Sequence, residues 1–598
     1  MIDNAPANHT DSDADSPMNT LPLPDLDDTL ATCLQWLRPL VDDKTYRNSE
    51  QALADFRHLE APKLQRLLEQ RAAIAAPDSW LIDYWRNLRL ANRGSLPLTG
   101  NQTMKIEWKA PQSGLKRVAH FVHALARVHR DYLGGDIKYG DDTCHEQWRI
   151  LLGACRRPLP ECDGYIFNDA DNPARHINIL YRGRGWTMDV LDTGGGIASP
   201  AQIENTLYHL IHTCGEAPDL PFAAPSVFAN EQAREIRAQL NSRSENAAIW
   251  QNIEKSLFIL SLDDAHILDD EDALNDAAFP DGSAVWAYKP LNYRCNLSDD
   301  RYFLHSESTW VDAATLADIL ALAQQYQQDG KIRRKNTLPD NLNLEALAWQ
   351  IDKHENKEQD SGTHKLIKEA LADYLHHAES YTTGIYDLYL NDQEQRLLKH
   401  NDPDALMQIA LQYAQYKVHK TVRSSRENID MRHYINGRKC YMQTVTDTSK
   451  QAATAIYNLA DGDTILPLLD AYSGERHARR RHCLHGNDVY GHLLGLESIA
   501  REQKQAVPAF FSDPGYLTLT QNYISTISLG CHGILSYIAF TAGKAENIAI
   551  NYTCNRNNIN LVLTHPRNRT REMQKFATAV QAGIKQLLRL LALTDRST

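Results

Sequence analysis

The sequence predicts an α/β fold, and three observations carry that expectation. Helical runs with one apolar face recur along the chain, at 120–132, 314–325 and 402–416 among others. Strand-like runs lie between them: 174–184 leads into 188–192 as a hairpin of two strands around a Gly-containing turn. The apolar run 257–262, closed by Asp263-Asp264, reads as a helix end or a buried strand. With 598 residues the chain has room for several domains.

Taken in order, residues 1–18 are polar and acidic, with Asp3, Asp11, Asp13 and Asp15, and predict a disordered tail. They lack the basic start and apolar core of a signal peptide. Leu21-Pro22-Leu23-Pro24 then opens a helical pattern through Leu26, Leu30, Leu34 and Leu37. Further helical patterns cover 50–74 and 79–92. On the run 120–132, Phe121, Leu125 and Val128 mark the buried side, and His120, His123 and His129 read as solvated or helix-face residues. Gly194-Gly195-Gly196 lacks the ending of a phosphate loop and reads as a turn before a helix at 201–211. Helices are expected at 230–240 and 245–256, and a charged surface excursion at 326–362. Asp402 is a candidate N-cap and Pro403 a first-turn residue for the helix running to Tyr416.

Composition narrows the class. Hydrophobic residues make up 42% and charged residues 23%, an ordinary globular balance. A formal net charge of -13 argues against nucleic acid as a partner. None of the ten cysteines forms a Cys-x-x-Cys pair, and Cys144, Cys155 and Cys162 fit no standard zinc module. Reduced, mostly buried cysteines suit the cytoplasm. The apolar stretch 529–543 holds His532, Ser536 and Tyr537 and is too short and polar for a membrane span.

One polar cluster organises the rest: Glu307-Ser308-Thr309-Trp310-Val311-Asp312-Ala313. It lies between a strand-like run with an Asp299-Asp300 turn and a helix whose Leu316, Ile319, Leu320 and Leu322 share a face. Such a junction fixes the backbone and leaves side chains free for chemistry. The cluster resembles the Glu-His-Ser-Trp-x-Asp-Gly/Ala segment of the choline/carnitine acyltransferase family. Residues 147–158 are similar to that family's Gln-Tyr-x-x-Leu-Phe-Gly-Thr-Cys-Arg-Ile-Pro, and 402–416 to its Ser-Pro-Asp-Ala helix. In 426–446, Glu427, Arg432, Gly437, Arg438 and Thr446 match, with Tyr434 for a phenylalanine. The resemblance runs from residue 20 to 590. It implies two pseudo-related domains with mixed β-sheets and flanking helices, chloramphenicol-acetyltransferase-like, with an interdomain tunnel. It divides the chain into N-terminal helices at 19–95, packed on the C-terminal domain, a first domain at 96–380 and a second at 381–598.

The resemblance also assigns roles. In the family a histidine takes the proton from the acceptor hydroxyl, which attacks the thioester of coenzyme A. A carboxylate four residues later orients the ring, and a Ser-Thr-Ser hydroxyl helps hold the oxyanion. Ser308 stands at the histidine position and Asp312 at the carboxylate. Thr518 and Thr520 stand at Ser-Thr-Ser, or are simply two positions of an alternating strand. A second alignment puts His305-Ser306 at the His-Ser pair and gives up Glu307, Trp310 and Asp312. His305 is the nearest alternative base; His176, His492 and His532 are more distant, and each also reads as an ordinary structural histidine. The positions that hold the carnitine carboxylate are here Arg426, Lys439 and Gly491. Two cations there would repel a trimethylammonium and suit an anionic ligand, unless they point to solvent. Of the lysines that meet the coenzyme A phosphates only Lys399 remains. The resemblance thus implies an acyltransferase with no bound cofactor. It would move an acyl group from a coenzyme A or carrier thioester to a small hydroxyl or amine acceptor other than carnitine. The alternative is an inactive member that binds a ligand or a protein partner in the tunnel.

Overall fold

The structure, a computed structural model, describes residues 18–140, 142–266, 269–329, 336–351, 362–504, 506–530, 533–544 and 546–595. The acidic tail up to residue 17, His532 and part of the 326–362 excursion lie outside these residues.

Among the described residues seventeen strands are named in chain order. They are β1 (Gln102–Ile106), β2 (Cys155–Arg157), β3 (Gly164–Ile166), β4 (His176–Tyr181), β5 (Arg184–Asp189) and β6 (Ile259–Asp263). Next come β7 (Asn292–Asn296), β8 (Tyr302–Ser306), β9 (Leu344–Leu347), β10 (Tyr381–Ile385), β11 (Leu388–Tyr389) and β12 (Ser425–Asp430). The last are β13 (Lys439–Gln443), β14 (Ile524–Ile527), β15 (Leu535–Phe540), β16 (Ile548–Cys554) and β17 (Asn558–Pro566). One mixed sheet runs β15-β1-β8-β7-β6-β4-β5-β9. A second runs β10-β17-β16-β14-β12-β13, with β11 beside β17, and β2-β3 form a small ribbon. The α/β class read from the sequence is therefore the observed one. The pairing of β15 with β1 sets a strand from the last quarter of the chain in the first sheet.

Helices cover the sheets. Gly114–Leu133, Pro200–Thr213 and Ala313–Asp329 share one buried core with the first sheet. Asn230–Leu240, Ser244–Lys255 and Gly362–Ala378 share another. Pro403–His419, Asp447–Tyr457 and Thr570–Asp595 pack on the second sheet. Asp402 caps the first of these, accepting the Ala405 amide at 3.0 Å, with Pro403 where a missing N–H costs nothing. The N-terminal helices Leu26–Leu37, Asp43–Leu59, Ala61–Ala75 and Ile82–Leu90 share a core with β12, β13 and helix Val489–Glu502. No helix among the described residues is long and apolar enough to cross a membrane.

Several local expectations change. The single helix read over 50–74 is two, because Pro62 starts a new helix at its first turn rather than extending the previous one. Within the excursion, Leu344–Leu347 forms β9 and pairs with β5 as the sheet's edge. His129 is not solvated: it is 1% exposed and bonds the Leu151 carbonyl at 2.8 Å. The three-glycine turn folds around Asp192, whose Oδ1 accepts the Gly194 and Gly196 amides at 2.8 and 2.7 Å.

The register of the second sheet decides which side chains share a face. Asp430 pairs with Lys439, Asn428 with Tyr441 and Arg426 with Gln443, while Arg426 also pairs with Ser525 of β14. Paired residues point the same way. Lys439, Tyr441, Arg426, Asn428 and Ser525 therefore lie on one face, and Glu427, Cys440 and Met442 on the other.

Candidate active site

The segment after β8 is held from within. The Glu307 carboxylate accepts the Thr309 amide at 3.1 and 3.2 Å and the Thr309 hydroxyl, and Arg156 donates to it at 3.4 Å. That turns the acid into a clamp for the loop. Trp310 lies between the Arg86 guanidinium, 3.4 Å from its ring centre, and the stacked Tyr165 ring at 5.3 Å. The backbone of the cluster is thus fixed before any reacting group is considered.

Asp312 opens the helix Ala313–Asp329 and meets two cations. Arg438 grips it with both ends of its fork, at 2.8 and 3.0 Å, and Lys439 donates at 2.9 Å. Burial works against its ionisation, but Arg438 and Lys439 outweigh that and hold the carboxyl well below the usual carboxylate range. Arg438 also donates to the carbonyls of Ser308, at 3.1 Å, and Thr309. One guanidinium, on the residue just before β13, therefore joins the second sheet to the loop of the first.

The neighbour of Ser308 is an arginine. The hydroxyl donates to the Gly100 carbonyl at 2.8 Å and contacts the Arg89 guanidinium, which itself donates to Gly100 at 3.0 Å. Among the described residues no histidine hydrogen-bonds this hydroxyl. His305 is locked between β8 and β1. Its ring nitrogens sit 3.0 Å from the Asn101 amide and 2.8 Å from the Thr103 hydroxyl, and burial pushes its pKa down to about 4. His176 bonds the Asn252 carbonyl at 2.9 Å. His492 lies between Thr29 and Gln65, each at 2.7 Å. These three are structural residues, not free bases.

The second sheet supplies further residues near this loop. Arg426 lies 3.9 Å over the Tyr441 ring and donates through Nε to Ser525 at 3.1 Å, so it does not simply point to solvent. Tyr441 meets Trp85 edge-on at 5.3 Å and Tyr490 at 5.8 Å. Ser308, Asp312 and Lys439 thus come together, with Arg426 joined to them through Tyr441. The other candidates stand apart. Thr518 and Thr520 lie in a short helix, Pro514–Thr520, and their hydroxyls donate to the Pro514 and Tyr516 carbonyls, both at 2.9 Å. The alternating-strand reading fails because the Asp513 cap and Pro514 start a helix. A Cβ on Gly491 would come within 2.5 Å of Leu81, so this glycine permits close helix packing. Lys399 is exposed near the end of helix Asp392–His400.

Sequence reasoning missed Arg89 and Tyr441. Tyr441 had a usable signal: period-two alternation from Lys439 puts it on the same face. Arg89 had none, since its partner Ser308 is 219 residues away.

A family model described as Choline/Carnitine o-acyltransferase matches residues 21–582. The chain belongs to this family. Among its relatives, peroxisomal carnitine O-octanoyltransferase of Bos taurus is 23% identical over 525 residues, covering 83% of each chain. Mitochondrial carnitine O-palmitoyltransferase 2 of Macaca fascicularis is 22% identical and covers 95% of this chain and 91% of its own. Among solved structures, the trichothecene 15-O-acetyltransferase of Fusarium sporotrichioides superposes with a TM-score of 0.44 at 10% identity, over 84% of this chain and 94% of that one. The two mixed sheets with flanking helices are the chloramphenicol-acetyltransferase-like arrangement expected of a choline/carnitine acyltransferase. Within that arrangement the Arg89 guanidinium contacts the Ser308 hydroxyl.

Proposed function

We propose that this choline/carnitine acyltransferase homologue transfers an acyl group from a thioester, on coenzyme A or an acyl carrier, to a small hydroxyl or amine acceptor bearing a negative charge. The observation that carries the reading is Arg426 lying over the Tyr441 face, with Lys439 beside Trp85 at 5.9 Å. The chain's own cations take the aromatic faces that would otherwise attract a quaternary ammonium. A trimethylammonium about 5 Å from one such cation meets a repulsion of roughly 3 kcal/mol at an effective dielectric of 20, a factor of about a hundred. An anionic acceptor gains from the same field. On the donor side, Lys399 alone offers weak recognition of nucleotide phosphates, which favours a donor gripped mainly by its acyl and thioester end.

The test is thiol release from acetyl- and longer acyl-CoA with three acceptor sets: hydroxy acids and phosphorylated alcohols, neutral alcohols and amines, and carnitine with choline. The anionic set is expected to turn over and the cationic set to stay at background. Arg426→Gln should raise KM for the anionic acceptors by about tenfold, the scale of one charge-assisted hydrogen bond. Turnover confined to carnitine or choline would end the reading.

A second reading, ligand binding without turnover, is favoured by the Arg89 contact on Ser308, since it leaves no imidazole to take a proton. Wild type and Ser308→His both inert across the panel, with anionic ligands still bound in calorimetry, would leave that reading standing instead.

A further inference from the structure

We propose that Tyr441 is the proton acceptor of the transfer, in the place that histidine holds elsewhere in the family. The proposal rests on the acyltransfer reading and deepens it. It starts by elimination among the groups at the site. Asp312 is tied to Arg438 and Lys439. Glu307 is tied to Arg156 and Thr309. His305 has both ring nitrogens engaged. The Ser308 hydroxyl gives its proton to the Gly100 carbonyl and faces a cation, so it is no base. The Tyr441 hydroxyl has no hydrogen-bond partner among the described residues.

Its surroundings favour the phenolate. From β12 comes Arg426, 3.9 Å from the ring centre; from β13 itself, Lys439; from helix Ile82–Leu90, Arg89. Asp312, bonded to Lys439 at 2.9 Å, opposes them, and Tyr490 lies edge-on from helix Val489–Glu502. Burial raises the Tyr441 pKa, yet Arg426, Lys439 and Arg89 outweigh burial and bring it below the ordinary tyrosine value. Burial has the opposite outcome at Tyr293, Tyr302, Tyr472 and Tyr490, where it wins and the phenol is pushed up. Tyr441 is set apart from them by its cations. Arg89 completes the geometry, because the guanidinium within electrostatic reach of the Tyr441 oxygen also touches Ser308.

The step balances without a further reactant. The acceptor O–H gives its proton to the Tyr441 phenolate as its oxygen attacks the thioester carbonyl carbon. A C–O bond forms, and the tetrahedral intermediate collapses with cleavage of the C–S bond. The departing thiolate takes the proton from the Tyr441 phenol, which restores the phenolate.

The experiment uses the full chain, acetyl-CoA and an anionic acceptor that turns over. Tyr441→Phe is expected to lower kcat by about 10²–10⁴-fold, the usual worth of a general base, with KM within about threefold of wild type. In wild type, kcat should rise with pH along a limb whose midpoint lies below the ordinary tyrosine pKa of about 10. The near-ultraviolet phenolate absorbance should show a step at the same pH, absent from Tyr441→Phe. Arg426→Gln should move both the rate limb and the absorbance step to higher pH, and this variant decides the matter if Tyr441→Phe does not fold. Turnover that survives in Tyr441→Phe with its pH limb intact overturns the assignment alone. Absence of turnover in wild type overturns the acyltransfer reading and the assignment with it.

Discussion

Replacing Arg438 with methionine is expected to cost about 3–5 kcal/mol of folding stability, the range for removing one partner of a buried ion pair. The residue is 8% exposed and holds three groups at once: the Asp312 carboxylate and the carbonyls of Ser308 and Thr309. Methionine fills much of the same volume but leaves Asp312 with Lys439 as its cation and leaves two carbonyls short of a donor. Lys439→Met should cost no more than about 1 kcal/mol, because its side chain is 21% exposed and water replaces part of what it gives. The double variant Asp312→Asn/Arg438→Met should recover part of the loss, since the stranded charge goes with its partner. Urea denaturation followed by tryptophan fluorescence measures all of these. An Arg438→Met variant within 1 kcal/mol of wild type would show that the two sheets are not joined through this guanidinium. The sign with pH follows from Asp312. Its folded pKa lies below its unfolded value of about 3.9, so its contribution is present above that pH and is lost as pH falls through and below it.

The second large effect concerns His305. Its folded pKa of about 4 lies below the 6.5 of an unburied imidazole. A basic group with a depressed folded pKa takes up its proton on unfolding throughout that interval. Stability is therefore full above pH 6.5 and falls as pH drops towards 4. The shift corresponds to about 3 kcal/mol at 1.36 kcal/mol per pH unit. His129 and His492 are likewise depressed to about 4 by burial, and other histidines are lowered too, so wild type alone mixes several imidazoles. Subtracting His305→Asn isolates one of them: wild-type stability relative to the variant should fall by about 3 kcal/mol between pH 7 and 4. A difference that is flat across that interval would mean that the imidazole is not held neutral between Asn101 and Thr103.

What the sequence disclosed and what it withheld divide along the range of the forces. The helix after Asp402-Pro403 and the hairpin β4-β5 are written in contiguous residues: a cap and a proline in one, alternation around Arg182-Gly183 in the other. Glu307, Ser308 and Asp312 were legible because strand, loop and helix start follow one another directly. The strand β9 was hidden, since its pairing with β5 lies across more than 150 residues of chain and its four residues are too few to show a period. Thr518 and Thr520 misled because alternation was read without weighing the Asp513 cap. At the site the same division holds. Asp312 could be named from the resemblance of a contiguous segment, but Arg89 on Ser308 and Arg426 on Tyr441 exist only once three distant segments meet.

The strand β15 carries a consequence for how such a molecule is made. A nascent chain that has delivered everything up to residue 530 still presents β1 with one side unpaired, because the hydrogen bonds from Gln102 to Ile106 wait for Leu535–Phe540. Until then that side is an open template for another molecule's backbone. Late synthesis of a few residues thus seals a region begun more than four hundred residues earlier, and a gene cut between the halves would yield a front piece prone to aggregate and a back piece with an orphaned strand.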